Sequence, residues 1–169
     1  MNDTKKERDS WVTPQWFYDY FDREFGFSAD IAASESNHKH SVFLTEQDDA
    51  LSVDILSIVS KGSYVWCNPP YSNVMPWVEL AEANQDKGVG TVLLLKNDTS
   101  TRWFKRCHEK ASRIIFIVGG RVQFVPPSER VKTSSNNFSS VVIVFSPNKS
   151  SGAVYEGVSM DLIKGASDE

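Results

Sequence analysis

The run "VGTVLLL" (residues 89–95) is apolar at successive rather than alternate positions, the pattern of a strand covered on both faces. The segments around it change period. "MPWVELAEANQDK" (75–87) has helical spacing and stops at Gly88, and "TSTRWFKRCHEK" (99–110) predicts a second helix on the other side. "SYVWC" (63–67) and "RIIFIV" (113–118) are short and rich in β-formers, and they predict buried strands, the second closed by Gly119-Gly120. Nearer the N-terminus, "QWFYDYFDREF" (15–25) predicts an amphipathic helix with Thr13 as its cap, Pro14 at its first position and Gly26 as its stop. "FSADI" and "SVFLT" predict short strands, and "VDILSIVS" a short helix ending near Gly62. "RVQFV" and "FSSVVIVF" complete the β content on either side of the polar loop "PPSERVKTSSNN".

Strands and helices in alternation predict an α/β fold, a single domain built on a doubly wound, mostly parallel sheet with helices on both faces. The last two strands, close in sequence, predict an antiparallel pair at one side of it. Residues 1–10 are expected as a flexible N-terminus, 11–147 as the domain and 148–169 as a C-terminal tail. Ligands of such sheets bind outside the carboxyl ends of the strands.

Composition removes several classes of function. No run reaches the roughly 18 apolar residues of a membrane span, and the polar start "MNDTKKERDS" carries no apolar signal segment. The expected compartment is therefore a reducing cytoplasm. Cys67 and Cys107 are too few for a disulfide framework or a zinc pattern. His38-x-His40 has no further clustered ligands, so no metal is expected.

Charge changes the picture more. The net charge is −4, yet residues 96–132 carry nine basic and three acidic side chains, a local +6, against −10 for the rest. Such asymmetry suits a polyanion on one face, although a helix with a solvated basic side has the same composition.

The chemistry sits in "WCNPPYS" (66–72), directly after a predicted buried strand. Two adjacent prolines remove two backbone donors and fix two φ angles, so Asn68, Pro69, Pro70 and Tyr71 form a stiff loop at the strand's end. An amine conjugated to a π-system is a poor nucleophile. Acceptors aimed at its N–H bonds favour a tetrahedral nitrogen as positive charge develops. The Asn68 side-chain oxygen and the Pro69 carbonyl suit that role, and Tyr71 offers a face for stacking a planar group. The loop thus fits alkylation of a planar amino group by a strong methyl donor.

With "WVTP", "FSADIAAS", "QDDAL", "WCNPPYS", "LLLKNDTSTRWF", "GGRVQF" and "SSVVIVF" in this order, the chain resembles the phage-type DNA N6-adenine methyltransferases, the phage Dam family. The resemblance covers roughly residues 11–145. It implies a Rossmann-like methyltransferase fold, S-adenosylmethionine as cofactor and double-stranded DNA as partner. It also implies a monomer or weak dimer, and a phage-encoded enzyme in the host cytoplasm that protects DNA against restriction.

Residue by residue, the resemblance implies that Thr13 and Pro14 lie beside the methionine part of the cofactor. Asp30 and the backbone around Ala32 would form the first cofactor loop. Asp49 would approach the cofactor's adenine amine, and Asn68 to Tyr71 would hold a target adenine flipped out of the duplex. Unlike related loops, "DIAASESN" has no glycine, and Glu46 and Glu35 are both open as the ribose-binding acid.

The basic stretch then becomes the phosphate-binding surface, through Lys96, Arg102, Lys105, Arg106, Arg121, Arg130 and Lys132. Ser134, Ser135, Asn136 and Asn137 are able to read base edges but are equally ordinary loop residues. Two alternatives stay open at this point. One keeps the fold and methylates a protein glutamine or an RNA guanine; the other is a DNA-binding module without cofactor.

Overall fold

The computed structural model describes residues 11–126 and 137–166. The described residues form a six-stranded mixed sheet flanked by helices. In chain order these are α1 (Gln15–Phe25), β1 (Phe27–Asp30), β2 (Tyr64–Cys67), α2 (Met75–Asp86), β3 (Gly90–Lys96), α3 (Arg102–Lys110), β4 (Arg113–Val118), β5 (Ser140–Phe145), β6 (Val154–Ser159) and α4 (Met160–Gly165), with a 3-10 turn at Ile55–Ser57.

The sheet order is β1-β2-β3-β5-β4-β6. β1, β2 and β3 pair in parallel, β5 pairs antiparallel with both β3 and β4, and β6 is parallel to β4. Five strands therefore run one way and β5 alone runs the other. This corrects the expected antiparallel pair at one side: a single reversed strand lies inside the sheet. The reason is visible in "SVVIVF", where all six residues are buried. A strand with no exposed positions needs a hydrogen-bonding neighbour on each edge and cover on each face.

Successive residues of the central strands alternate between two cores. Leu93, Leu95, Ile114, Val141 and Ile143 face Val78 and Ala81 of α2 and Phe104 and Cys107 of α3. Val92, Leu94, Ile115, Val142 and Val144 face Phe17, Tyr18 and Phe21 of α1 and Met160 and Ile163 of α4. The period-2 alternation of β side chains thus feeds both helix layers.

Three further expectations change. Thr13 is not the cap of α1; Pro14 takes that position, and its carbonyl accepts from the N–H groups of Phe17 and Tyr18 at 3.1 and 3.3 Å. "SVFLT" forms only an isolated parallel bridge, Phe43 against Asp30, and no helix separates it from β1 because "ASESNHKHS" has no apolar face to bury. "RVQFV" gives one antiparallel bridge, Val125 to Val12, and no strand, since Pro126 and Pro127 follow it without donors.

The expected C-terminal tail, for its part, includes β6 and α4. β6 is an outer strand with mostly exposed side chains, so it lacks the apolar signal of the inner ones. An ion pair from Arg113 to Glu156 at 2.8 Å and the buried Met160 and Ile163 fasten this segment. Ile163→Ala should cost about 2–5 kcal/mol, the range for a buried Ile cut to Ala. Urea denaturation checks this; a midpoint equal to wild type would mean that α4 adds nothing to the core.

Candidate active site at the carboxyl edge of the sheet

Because β1 to β4 point the same way, Asp30, Asn68, Asn97 and Gly119 all come to one edge. The reversed β5 brings its start there, so Phe138 and Ser140 join them. The edge is the place that the sequence assigns to chemistry.

Asn68 follows the last residue of β2 and is half-buried, with Pro69 buried behind it. Its Nδ2 donates to Thr13 Oγ1 at 3.0 Å. Thr13 is itself 2% exposed, and the Val12–Val125 bridge, with N–H···O bonds of 2.8 and 2.9 Å, ties its segment to the chain beyond β4. Thr13 is therefore placed against the asparagine of the proline loop.

Tyr71 lies where the two cores meet and packs against both. Its hydroxyl donates to the Leu94 carbonyl at 3.1 Å, and burial pushes the phenol well above its ordinary range, so it stays neutral. Phe124 and Phe138 meet its ring edge-on, at centroid distances of 6.3 and 5.7 Å. Lys96 stands over Phe138 at 5.5 Å, a cation–π contact. Phe124 and Phe138 were not singled out from the sequence, although the motifs "GGRVQF" and "FSSVVIVF" contain them.

Asp30 is 4% exposed. Burial raises its pKa, and two backbone hydrogen bonds oppose that rise, from Lys39 N–H at 2.9 Å and Ala32 N–H at 3.3 Å. The carboxylate therefore organises residues 32–39 from within. No non-glycine residue other than Asp49 has a positive φ among those described. The loop after β1 consequently needs no glycine, which accounts for its absence from "DIAASESN".

Asp49 has φ +51, a left-handed conformation that aspartate tolerates better than most side chains. It is exposed, and one carboxylate oxygen accepts from Ser52 Oγ at 2.6 Å. Ala50 beside it is buried and packs in the core with Ile31, Leu44 and Val53. Asn97 was also missed from sequence. Its amide oxygen is buried and has no hydrogen-bond partner among the described residues, and the same holds for Ser140 Oγ.

The basic residues divide. Lys96, Arg102 and Arg121 are exposed at the carboxyl edge, and Lys105 is exposed one turn into α3 with Glu109 at 3.7 Å. Arg106 instead makes a two-pronged pair with Glu82, at 2.7 and 2.9 Å, and reaches Glu79 at 3.2 Å, which joins α3 to α2. Arg113, at the opposite edge, is held by Glu24 and Glu156. Arg130, Lys132, Ser134, Ser135 and Asn136 lie outside the described residues. Cys67 and Cys107 are buried free thiols, and burial raises both pKa values, Cys107 to about 12, so neither is a nucleophile. Among the described residues no group of three or more His, Cys, Asp or Glu is placed to hold a metal, and no helix is long and apolar enough to cross a membrane.

A sheet edge that joins a rigid carboxamide loop, an aromatic cluster and exposed cations fits an enzyme acting on a planar amino group of a polyanion. The chain belongs to the DNA N-6-adenine-methyltransferase (Dam) family, whose model matches residues 1–166. It is 33% identical over 156 residues to a DNA N-6-adenine-methyltransferase of Haemophilus phage HP1 (strain HP1c1), covering 90% of this chain and 87% of that one. It is 28% identical over 152 residues to a DNA N-6-adenine-methyltransferase of Escherichia phage T1, covering 81% of this chain and 62% of that relative. No solved structure matches it.

Three substitutions separate fold from site. Tyr71→Phe should lose about 0.5–1.5 kcal/mol of stability with the Leu94 hydrogen bond, while keeping the ring contacts, as denaturant titration will read. Arg106→Ala should leave the salt dependence of DNA binding unchanged and cost at most about 1 kcal/mol of stability. Arg102→Ala should lower the slope of log affinity against log salt by about one. Equal slopes for the two arginine variants would mean that the ion pairs do not withdraw Arg106 from DNA.

Proposed function

We propose that this chain is a site-specific DNA adenine-N6 methyltransferase, with a Rossmann-like fold, that works at the carboxyl edge of its sheet on an adenine flipped out of double-stranded DNA. The observation that carries the reading, in a chain of the Dam family, is the Asn68–Tyr71 loop at the end of β2, with its asparagine side chain fixed at the rim. Phage relatives with the same printed activity favour a phage-encoded enzyme that protects DNA against restriction in the host cytoplasm.

S-adenosylmethionine, when bound, supplies an electrophilic methyl group whose S–C bond breaks as the new N–C bond forms, leaving a thioether. The residues present suit such a ligand. Asp30 orders the first loop, on which Ala32 sits; Gln15, directly after Thr13 and Pro14, accepts from Lys39 Nζ of that loop at 3.3 Å. Asp49, with its left-handed backbone, presents an exposed carboxylate as a hydrogen-bond acceptor beside the buried Ala50. On the substrate side, Asn68 Oδ1 and the Pro69 carbonyl accept the two N–H bonds of the adenine amine and favour its pyramidal form. The amine then loses one proton to water. Tyr71 presents its ring to the base, and Lys96, Arg102, Lys105 and Arg121 hold phosphates, so that position comes from charge and chemistry from the loop. Arg130 and Lys132 extend the same proposal; Arg106 contributes through the packing of α3.

Asn68→Ala should lower methyl transfer to unmethylated DNA by roughly 10²–10³, equivalent to the loss of one transition-state acceptor, with cofactor affinity and stability largely kept. Turnover within about threefold of wild type would exclude the assignment. Mass analysis of digested nucleosides for N6-methyladenine identifies the product. On the cofactor side, Asp49→Gly keeps the left-handed backbone and removes the carboxylate. It should weaken S-adenosylmethionine binding by about 0.5–1.5 kcal/mol, measured by calorimetry; unchanged affinity would place the cofactor elsewhere.

A further inference from the structure

A carboxamide at the proposed amine-binding position carries an ambiguity that a carboxylate would not have. Its oxygen accepts N–H bonds, but its nitrogen donates them. With Oδ1 toward the substrate Asn68 promotes the reaction. Flipped about χ2, it would face the adenine amine with its own NH2, donor against donor. The two poses have nearly the same shape, so packing alone does not choose between them. Something must read the difference chemically.

A hydroxyl donates as well as accepts, so Thr13 does not choose alone. A substrate amine that donates to Oδ1 leaves Nδ2 in need of an acceptor, and Thr13 is placed to supply it. Its Oγ1 accepts from Asn68 Nδ2 at 3.0 Å, which turns Oδ1, the other end of the amide, away from Thr13. The threonine is 2% exposed, so water does not compete for the contact. Its backbone is held independently of Asn68: Val12 exchanges two hydrogen bonds with Val125, and Pro14 begins α1, whose Phe17 and Tyr18 N–H groups bond its carbonyl. On the other side, Pro69 and Pro70 lock the backbone of the asparagine. The two side chains, 55 positions apart in the chain, therefore meet from two rigid supports, and only the amide torsion is left to decide.

We propose that Thr13 is a positioning residue for methyl transfer: its hydroxyl oxygen accepts from Asn68 Nδ2 and so holds the amide in the pose whose Oδ1 faces the substrate amine. This rests on the assignment of Asn68 above and adds to it a role for Thr13 in turnover, beyond any contact with cofactor. A hydroxyl that served the cofactor alone would change cofactor affinity, and its loss would be overcome by saturation. One that orients the amide changes kcat at saturating cofactor and DNA.

The test compares Thr13→Val, which keeps the branched shape without the hydroxyl, with Thr13→Ser, which keeps the hydroxyl. Thr13→Val should lower kcat about tenfold at saturation, the effect of one hydrogen bond, and Thr13→Ser should stay within about threefold of wild type. S-adenosylmethionine affinity by calorimetry should move by no more than about threefold in either. Repeating Thr13→Val in an Asn68→Asp background closes a double-mutant cycle. A carboxylate has two equivalent oxygens and no NH2 end to satisfy; Thr13 can still donate to it, but the penalty on kcat should be clearly smaller there, within about threefold. An equal penalty in both backgrounds, a loss confined to cofactor affinity, or an unchanged kcat in Thr13→Val would each overturn the proposal.

If Asn68→Asp is itself inactive, the side-chain NH2 signal of Asn68 in a 15N spectrum decides instead. Its protection from hydrogen exchange should be present in wild type and Thr13→Ser and lost in Thr13→Val; retained protection in Thr13→Val overturns the proposal. Asn68→Ala distinguishes the two levels. Full turnover in that variant would defeat the functional reading, whereas an inactive Asn68→Ala beside a normal Thr13→Val would defeat only the role of Thr13.

Discussion

The sheet depends on one strand that runs against all the others. β5 is in register with β3 over six residue pairs, from Thr91–Phe145 to Lys96–Ser140, and with β4 over four, from Arg113–Val144 to Phe116–Val141. Take it away and two separate parallel pieces remain, β1-β2-β3 and β4-β6. Because it is inserted between them, the carboxyl ends of β3 and β4 lie two strand spacings apart, about 10 Å. Because it is reversed, its first residues, not its last, reach the same edge. Phe138 is thereby delivered to the ring of Tyr71, together with the buried Ser140 and, through the neighbouring strand, Asn97. The placement of the site is a consequence of that direction.

At the edge itself, rigidity comes from different devices on neighbouring strands. β2 is ended by two prolines, which need no hydrogen-bonding partner for the donors they lack. β1 is continued by a loop whose N–H groups at Ala32 and Lys39 are satisfied by a buried carboxylate. A glycine would give the backbone freedom that must then be lost on ordering; Asp30 orders a loop made of residues with ordinary conformations. The burden is electrostatic, since burial acts against the charged carboxylate and the two backbone hydrogen bonds act for it.

Much of this was legible in the residues, and where it was not the reason is local. The helices over 15–25, 75–86 and 102–110 and the strands at 64–67, 90–96 and 113–118 follow their apolar periods closely. β5 was recognisable as a strand but not as an inner one, because the rule that sequential strands lie side by side took precedence over the unbroken apolar run from Val141 to Phe145. β6 carries a glycine, a glutamate and a serine among its six residues, and its pairing with β4 comes from tertiary context. The asparagine loop was legible because prolines act locally. The Thr13–Asn68 hydrogen bond was not, since it joins residues whose proximity exists only in the finished fold. The basic segment shows the same limit: composition counts Arg102 and Arg106 alike, whereas the structure gives only Arg106 two glutamates from the next helix.

The pair Asn68-Pro69 has one more consequence, for the durability of the molecule. Asparagine ages chiefly when the backbone nitrogen of the next residue attacks the side-chain carbonyl, closing a five-membered imide that reopens to aspartate or its isomer. That attack needs an N–H to lose, and proline has none. Placing Pro69 after Asn68 therefore closes the usual spontaneous route from amide to acid at the position where the two would differ in charge and in the need to be oriented. The imino acid that stiffens the loop also protects the chemical identity of its asparagine through the lifetime of the folded chain.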